Sequence, residues 1–320
     1  MYQPIFLTIL RLALLALTGF VLFKPEKIRR YLLKPAMCII MNVLFPLHFV
    51  WSLPLGWDRA VEAGLYWMPI FFFASLFMIG FQTLLSRLFV RPKGLLDTEQ
   101  PRSMTALFAI HNAGYIPLPI MVALAPQEVN IYLFMYFLGF NIIFWSAAIH
   151  LVKAESKGFT FKLNPPLVGI IVGMLIAIFD LFQYIPDTLL PLLEFSGTYA
   201  LDLMMVLLGA VLATIPRSDF SYRPEFGRLI AIRLLLYPLA MLGVAALLPL
   251  GGLSQELQWG LRLALVVQAA VPPATNLMLA AKLFGNTSQV HYIGSGIMFT
   301  YLSVIITLPI FLMAATCLFR

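Results

Sequence analysis

Apolar residues gather along this chain into runs of about 20, the length of an α-helix crossing a hydrocarbon core. Each run closes on a short stretch of charged or turn-forming residues, and the pattern repeats from one end to the other. It predicts ten spans, at 5–23, 31–54, 61–84, 103–125, 129–152, 165–183, 190–214, 228–249, 258–284 and 292–318. No polar stretch between them is long enough to fold as a separate soluble domain. The expected fold class is an all-α membrane protein.

Composition narrows the function. Of 320 residues, 61% are hydrophobic and 11% charged, against about 45–50% and about 25% in soluble domains. A soluble enzyme or binding module is excluded. The two cysteines, Cys38 and Cys317, lie in apolar runs without metal-ligand spacing or a secreted disulfide pattern. There is no zinc-protease, nucleophile-elbow or nucleotide-binding motif, so no metal, cofactor or catalysis is expected. Met1-Tyr2-Gln3-Pro4 lacks the basic start and small-residue cleavage site of a signal peptide, and the first span is expected to be retained.

The net charge of +7 reads as an orientation signal and not as nucleic-acid affinity, because the basic residues alternate by loop. Seventeen of the 21 lysines and arginines fall on one side. They are Lys24, Lys27, Arg29, Arg30 and Lys34, then Arg87, Arg91, Lys93 and Arg102, then Lys153, Lys157 and Lys162, then Arg217, Arg223, Arg228 and Arg233, and last Lys282. The positive-inside rule puts that side in the cytoplasm and both termini outside, in what is expected to be a bacterial inner membrane.

Ten spans divide into two five-span halves, 1–157 and 158–320, of opposite topology, which is the inverted-repeat plan of many secondary transporters. The halves share an irregularity in the fourth span of each. One reads His111-Asn112-Ala113-Gly114-Tyr115-Ile116-Pro117-Leu118-Pro119, the other Gln268-Ala269-Ala270-Val271-Pro272-Pro273-Ala274-Thr275-Asn276. Proline lacks an N–H and clashes with the carbonyl four residues back. Pro117 and Pro119 therefore free the carbonyls of Ala113 and Tyr115, and Pro272 and Pro273 free those of Gln268 and Ala269. Such groups cannot face lipid, so both stretches must face protein or a wet cavity. The half-helix after each break is expected to present free N–H groups and a positive dipole end at mid-membrane, with the Asn112 and Asn276 amides beside them. Two such ends make a site for a small anion, a carboxylate above all.

The segments Asn112…Ile116-Pro117-Leu118-Pro119 and Gln268-Ala269-Ala270-Val271-Pro272-Pro273-Ala274, the latter followed by Leu283-Phe284-Gly285-Asn286, resemble the auxin efflux carrier family. That family includes plant PIN and PIN-like exporters and bacterial malonate and other organic-anion permeases. The resemblance implies a ten-helix inverted-repeat fold. Helices 1, 2, 6 and 7 form a scaffold that often dimerises. Helices 3–5 and 8–10 form a transport domain that moves against it as an elevator. It also implies that Asn112 and Asn276, which match the family's crossover asparagines, bind the substrate carboxylate. Unlike the plant members, this chain has only residues 153–164 between its halves. The expected partners are a small carboxylate, the bilayer and a second copy of the chain through the scaffold.

Other intramembrane polar residues need an account. Asp202, mid-way along the seventh span, is either a coupling-ion or cavity residue or a structural carboxyl. Next to an anion it raises a difficulty of charge. Arg11 and Arg233 are read as snorkelling to the interfaces, with pairing to an acid as the alternative. Glu194, Asp180 and Arg262 are read as solvated at the outer surface. His111 beside the break and His48 in the second span are candidates for a proton relay or the substrate path. Among the neutral polar residues Asn42, Gln82, Asn141, Gln268, Thr275, Ser295 and Thr300, Asn141 and Gln268 are singled out because their helices should flank the crossover. The reading is a secondary transporter of small organic anions. A sodium-coupled bile-acid-type symporter and a sensor that binds without flux are the alternatives.

Overall fold

The computed structural model of the chain describes residues 2–91, 93–153, 163–215 and 223–320. Lys157, Lys162, Arg217 and the expected boundary between the halves lie outside the described residues. Helix dominates, and seven continuous helical stretches are long and apolar enough to cross a membrane, among the described residues.

Helix α1 covers Tyr2–Phe23. Helices α2 (Glu26–Ile39) and α3 (Phe45–Gly64) run on through a π-helical turn at Ile40–Leu44. Then come α4 (Trp67–Phe89), α5 (Pro101–Ala109), α6 (Pro117–Leu124), α7 (Gln127–Val152), α8 (Pro165–Ile178) and α9 (Leu190–Leu212). Helices α10 (Pro224–Ile230) and α11 (Tyr237–Ala246) are again joined by a π-helical turn, Ala231–Leu236. Last are α12 (Gln255–Ala270), α13 (Asn276–Phe284) and α14 (Thr287–Phe319).

Both π-helical turns precede a proline inside a continuous helix, Pro46 and Pro238. The carbonyl each ring would strike, four residues back, lies within the wide turn, which gives it room to tilt away. The chain thus crosses without breaking at these two prolines, and among the described residues the spans are interrupted at 110–116 and 271–275.

Two boundaries differ from the expected ones. The second span does not end near residue 54. Helix α3 carries Pro54 in its interior and continues past Asp58, Arg59 and Glu62 to Gly64, whose φ of 133° lets the chain turn into α4. Pro69 therefore sits in the first turn of α4, where a proline costs no hydrogen bond. The sixth span is shorter than expected, since α8 stops at Ile178 ahead of a turn through Asp180, at φ 50°.

The helices pack as two groups. Helix α1 lies on α9, and α3 packs on both α8 and α9. Separately, α4 packs on α5 and α7, and α12 and α14 pack on each other with α11 and α13 alongside. The groups meet where α3 touches α7 and where α1 touches α6 and α14. The small-residue run of α8 works inside the chain: a Cβ at Gly169 would fall 2.5 Å from Pro46 Cα, and one at Gly173 2.6 Å from the Phe49 carbonyl oxygen. That run seats α8 on α3.

Arg262 and Arg233 depart from the expected reading, and Arg11 takes its alternative, pairing with an acid. Arg262 donates to the carbonyls of Ala245 (3.1 Å) and Leu248 (3.4 Å) and caps the end of α11. Arg11 forms an ion pair with Asp202 that links α1 to α9. Arg233 does not snorkel. It is fully buried in the protein.

Candidate substrate site at two facing helix breaks

Helix α5 stops at Ala109 and α12 at Ala270, and the chain just beyond each stop is extended before it turns into the next half-helix. The extended pieces cross and pair. Asn112 N–H donates to the Pro272 carbonyl at 2.8 Å, and Ala274 N–H donates to the Ile110 carbonyl at 3.0 Å. This leaves His111 opposite Pro273 in a one-residue antiparallel bridge. Two pieces of non-helical backbone thus satisfy each other, as the absence of water in a hydrocarbon core demands.

Two of the four carbonyls freed by the prolines find side-chain donors. Gln268 Nε2 reaches the Ala113 carbonyl at 3.3 Å, across from one break to the other. Arg233 Nη1 donates to the Ala269 carbonyl. Pro272, Pro273, Pro117 and Pro119 are all buried at or beside the crossing.

Asn112 is held on every side. Its Oδ1 accepts from the N–H groups of Tyr115 (2.9 Å) and Gly114 (3.3 Å), and its Nδ2 donates to the Tyr301 hydroxyl of α14 at 2.6 Å. His111 is buried behind it, with Nε2 2.7 Å from the Tyr136 hydroxyl and its ring edge-on to Phe140.

The expectation of free N–H donors fails at the first break. Two of the first three residues of α6 are prolines, Pro117 and Pro119, which have none to give. Leu118 N–H bonds the Gly114 carbonyl at 3.1 Å, and Ile120 N–H reaches Ile116 at 3.4 Å. The second break differs. Asn276 opens α13 and is partly exposed, and its N–H engages no backbone carbonyl among the described residues. Leu277 and Met278 N–H bond the Ala274 and Thr275 carbonyls at 3.1 and 3.0 Å, so the donors left at this end are the Asn276 N–H and its side-chain amide.

The other candidates sit apart in their hydrogen bonds. Asn141 donates to the Phe137 carbonyl (2.8 Å) and accepts from Asn164 (3.0 Å), which caps α8. It ties α7 to α8, and neither bond reaches a break. His48 is buried on α3, with Nδ1 3.2 Å from the Gly197 carbonyl of α9 and its ring edge-on to Phe134 of α7. Asp202 holds Arg11, so it brings no uncompensated negative charge toward an anion, which removes the difficulty it raised.

Sequence reasoning missed Tyr301 and Arg233 as parts of the crossing. Tyr301 also borders an apolar cavity of about 300 Å³ between α1 and α9 on one side and α6 and α14 on the other. Leu12, Ala16, Ile116, Met205 and Leu308 line it with Tyr301. Nothing in the sequence marks Tyr301, one of 12 tyrosines. Arg233 carries a signal, a charge five residues before Pro238 within an apolar run.

Residues 155–312 match the family described as Membrane transport protein, to which the auxin efflux carriers belong. The matched stretch contains the second break and most of α14. No curated protein matches the chain.

Proposed function

Since the chain belongs to the membrane transport protein family, we propose that it is a secondary transporter of small organic anions, mono- or dicarboxylates. One observation carries this: the two helix breaks pair with each other in the interior of the protein and leave Asn276, at the start of α13, partly exposed with its N–H bonded to no backbone carbonyl among the described residues. A half-helix N-terminus with a neutral amide is suited to a carboxylate, which it binds without a fixed counter-charge of its own. The apolar cavity beside Tyr301 offers room for the organic part of such a molecule.

The motion that goes with this reading is an elevator. Counting each interrupted pair, α5–α6 and α12–α13, as one crossing gives ten crossings in two halves of opposite topology. The group containing α1, α3, α8 and α9 serves as the scaffold, which pairs with a second copy. The group containing both breaks moves against it. The basic loops lie in the cytoplasm of a bacterial cell and both termini outside.

The test is thermal unfolding of the purified full chain against acetate, malonate, succinate and indole-3-acetate, with Asn276→Ala beside it. A carboxylate that raises the unfolding midpoint of the native chain and not of the variant supports the site. A carboxylate effect that survives in Asn276→Ala moves the site elsewhere. If none of the four acts, the anion reading falls.

A further inference from the structure

Helix α12 ends in the protein interior with its last carbonyls pointing into the crossing, and Pro272 and Pro273 remove two N–H groups that would have met them. A helix C-terminus carries roughly half a negative charge, felt at full strength where water is absent. Such an end calls for a cation.

The chain supplies one. The Arg233 side chain is fully buried, donates Nη1 to the Ala269 carbonyl, and lies with its guanidinium carbon 5.1 Å from the centre of the Tyr237 ring. No carboxylate pairs with it among the described residues, where the recorded ion pair is Arg11–Asp202. Its Nε and Nη2 meet no acceptor there either. The sequence extends the point: the spans 103–125, 129–152, 228–249, 258–284 and 292–318 contain no aspartate or glutamate. A buried unpaired cation costs several kcal/mol, so its position needs a compensating partner. The carbonyl end of α12 and the face of Tyr237 are what the structure offers.

We infer that Arg233 is a tethered counter-cation for the second break, occupying the electronegative end of α12 so that no metal cation binds there and the transport cycle runs without sodium. This inference rests on the reading of the chain as an anion transporter. A guanidinium stays protonated and cannot leave, so the positive charge that Arg233 brings to the end of α12 is the same in every state of the cycle. Arg233 is thereby a positioning residue, acting on the site through Ala269 and the break.

The test uses the purified full chain, with the unfolding midpoint measured in sodium chloride and in choline chloride at equal ionic strength. The native chain and Arg233→Lys are expected to give the same midpoint in both salts. Arg233→Gln vacates the charge, so its midpoint in choline falls and sodium raises it again by about 2–4 °C. Stabilisation of the native chain or of Arg233→Lys by sodium over choline overturns the inference. So does a monodisperse Arg233→Gln whose midpoint is indifferent to sodium. If Arg233→Gln does not fold, the native and Arg233→Lys arms still decide, because sodium must leave both unmoved. The carboxylate panel on the same sample keeps the two readings apart. Sodium indifference without any carboxylate effect sinks the anion reading alone, and a sodium effect beside a carboxylate effect sinks this inference alone.

Discussion

The two breaks look alike in sequence and are built differently. At the first, Asn112 caps Tyr115 and Gly114 with one end of its amide and holds Tyr301 of α14 with the other, prolines take the place of two donors that α6 would offer, and Gln268 of α12 meets the freed Ala113 carbonyl. At the second, the freed Ala269 carbonyl is met by Arg233 from α10–α11, the extended piece is paired by the first break, and Asn276 remains partly open. On the proposed reading, a matched pair of motifs has become a wall and a binding end. The same residue type, asparagine at a break, is structural in one half and available in the other.

The division can be broken most forcefully at the first break. Asn112→Ala removes two caps and an interhelical bond from a buried site, and is expected to cost about 3 kcal/mol or more, from three groups left unpaired at about 1–3 kcal/mol each. The measurement is the unfolding midpoint without ligand, which should drop by more than in any other variant here. Gly114→Ala comes next. Its new methyl would stand 2.6 Å from the Phe137 ring of α7, at a cost of about 1–3 kcal/mol as the ring or the break shifts. Asn276→Ala reverses the pattern. Its unliganded midpoint should stay within about 1 °C of native, while affinity for the carboxylate that stabilises the native chain falls about tenfold or more, or 1.4 kcal/mol. An Asn276→Ala protein as unstable as Asn112→Ala contradicts the assignment of roles.

What the sequence made legible follows from where proline acts. A proline's missing N–H and its clash are local facts, so Pro117, Pro119, Pro272 and Pro273 located both breaks, and the carbonyls of Ala113 and Ala269 are indeed met by donors from other elements. The partners of those carbonyls are not local, which is why Tyr301 and Arg233 stayed invisible as parts of the crossing. Arg233 misled for a second reason. A charge near a span end snorkels if its helix is regular and faces lipid, but here it sits in the π-helical turn before Pro238 and is buried in the protein. The helix end at residue 54 was misplaced because the apolar run stops there while the helix does not. Asp58, Arg59 and Glu62 leave the hydrocarbon without leaving the helix. The Arg11–Asp202 pair spans 191 positions, and no periodicity carries that far.

The smallest expected effect sharpens the comparison most. Tyr301→Phe keeps the ring, its packing and the cavity wall, and removes only the hydroxyl that accepts from Asn112 Nδ2. Interhelical hydrogen bonds in membranes are worth roughly 0.6 kcal/mol on average, and the loss here should be about 1 kcal/mol, with one amide N–H left without its acceptor. If the first break is a wall, the variant lowers the unliganded midpoint slightly and leaves carboxylate affinity as it was. The cap from Asn112 Oδ1 to Tyr115 still holds the loop, and the anion sits at α13. If affinity falls by more than the unliganded stability does, the freed Asn112 amide has been part of the anion's shell, and the two asparagines share the ligand. The double variant with Asn112→Ala separates the cases again: a wall predicts that Tyr301→Phe adds less once Asn112 is gone, because, of the hydroxyl's two side-chain partners Asn112 and Thr275, only Thr275 is left to lose.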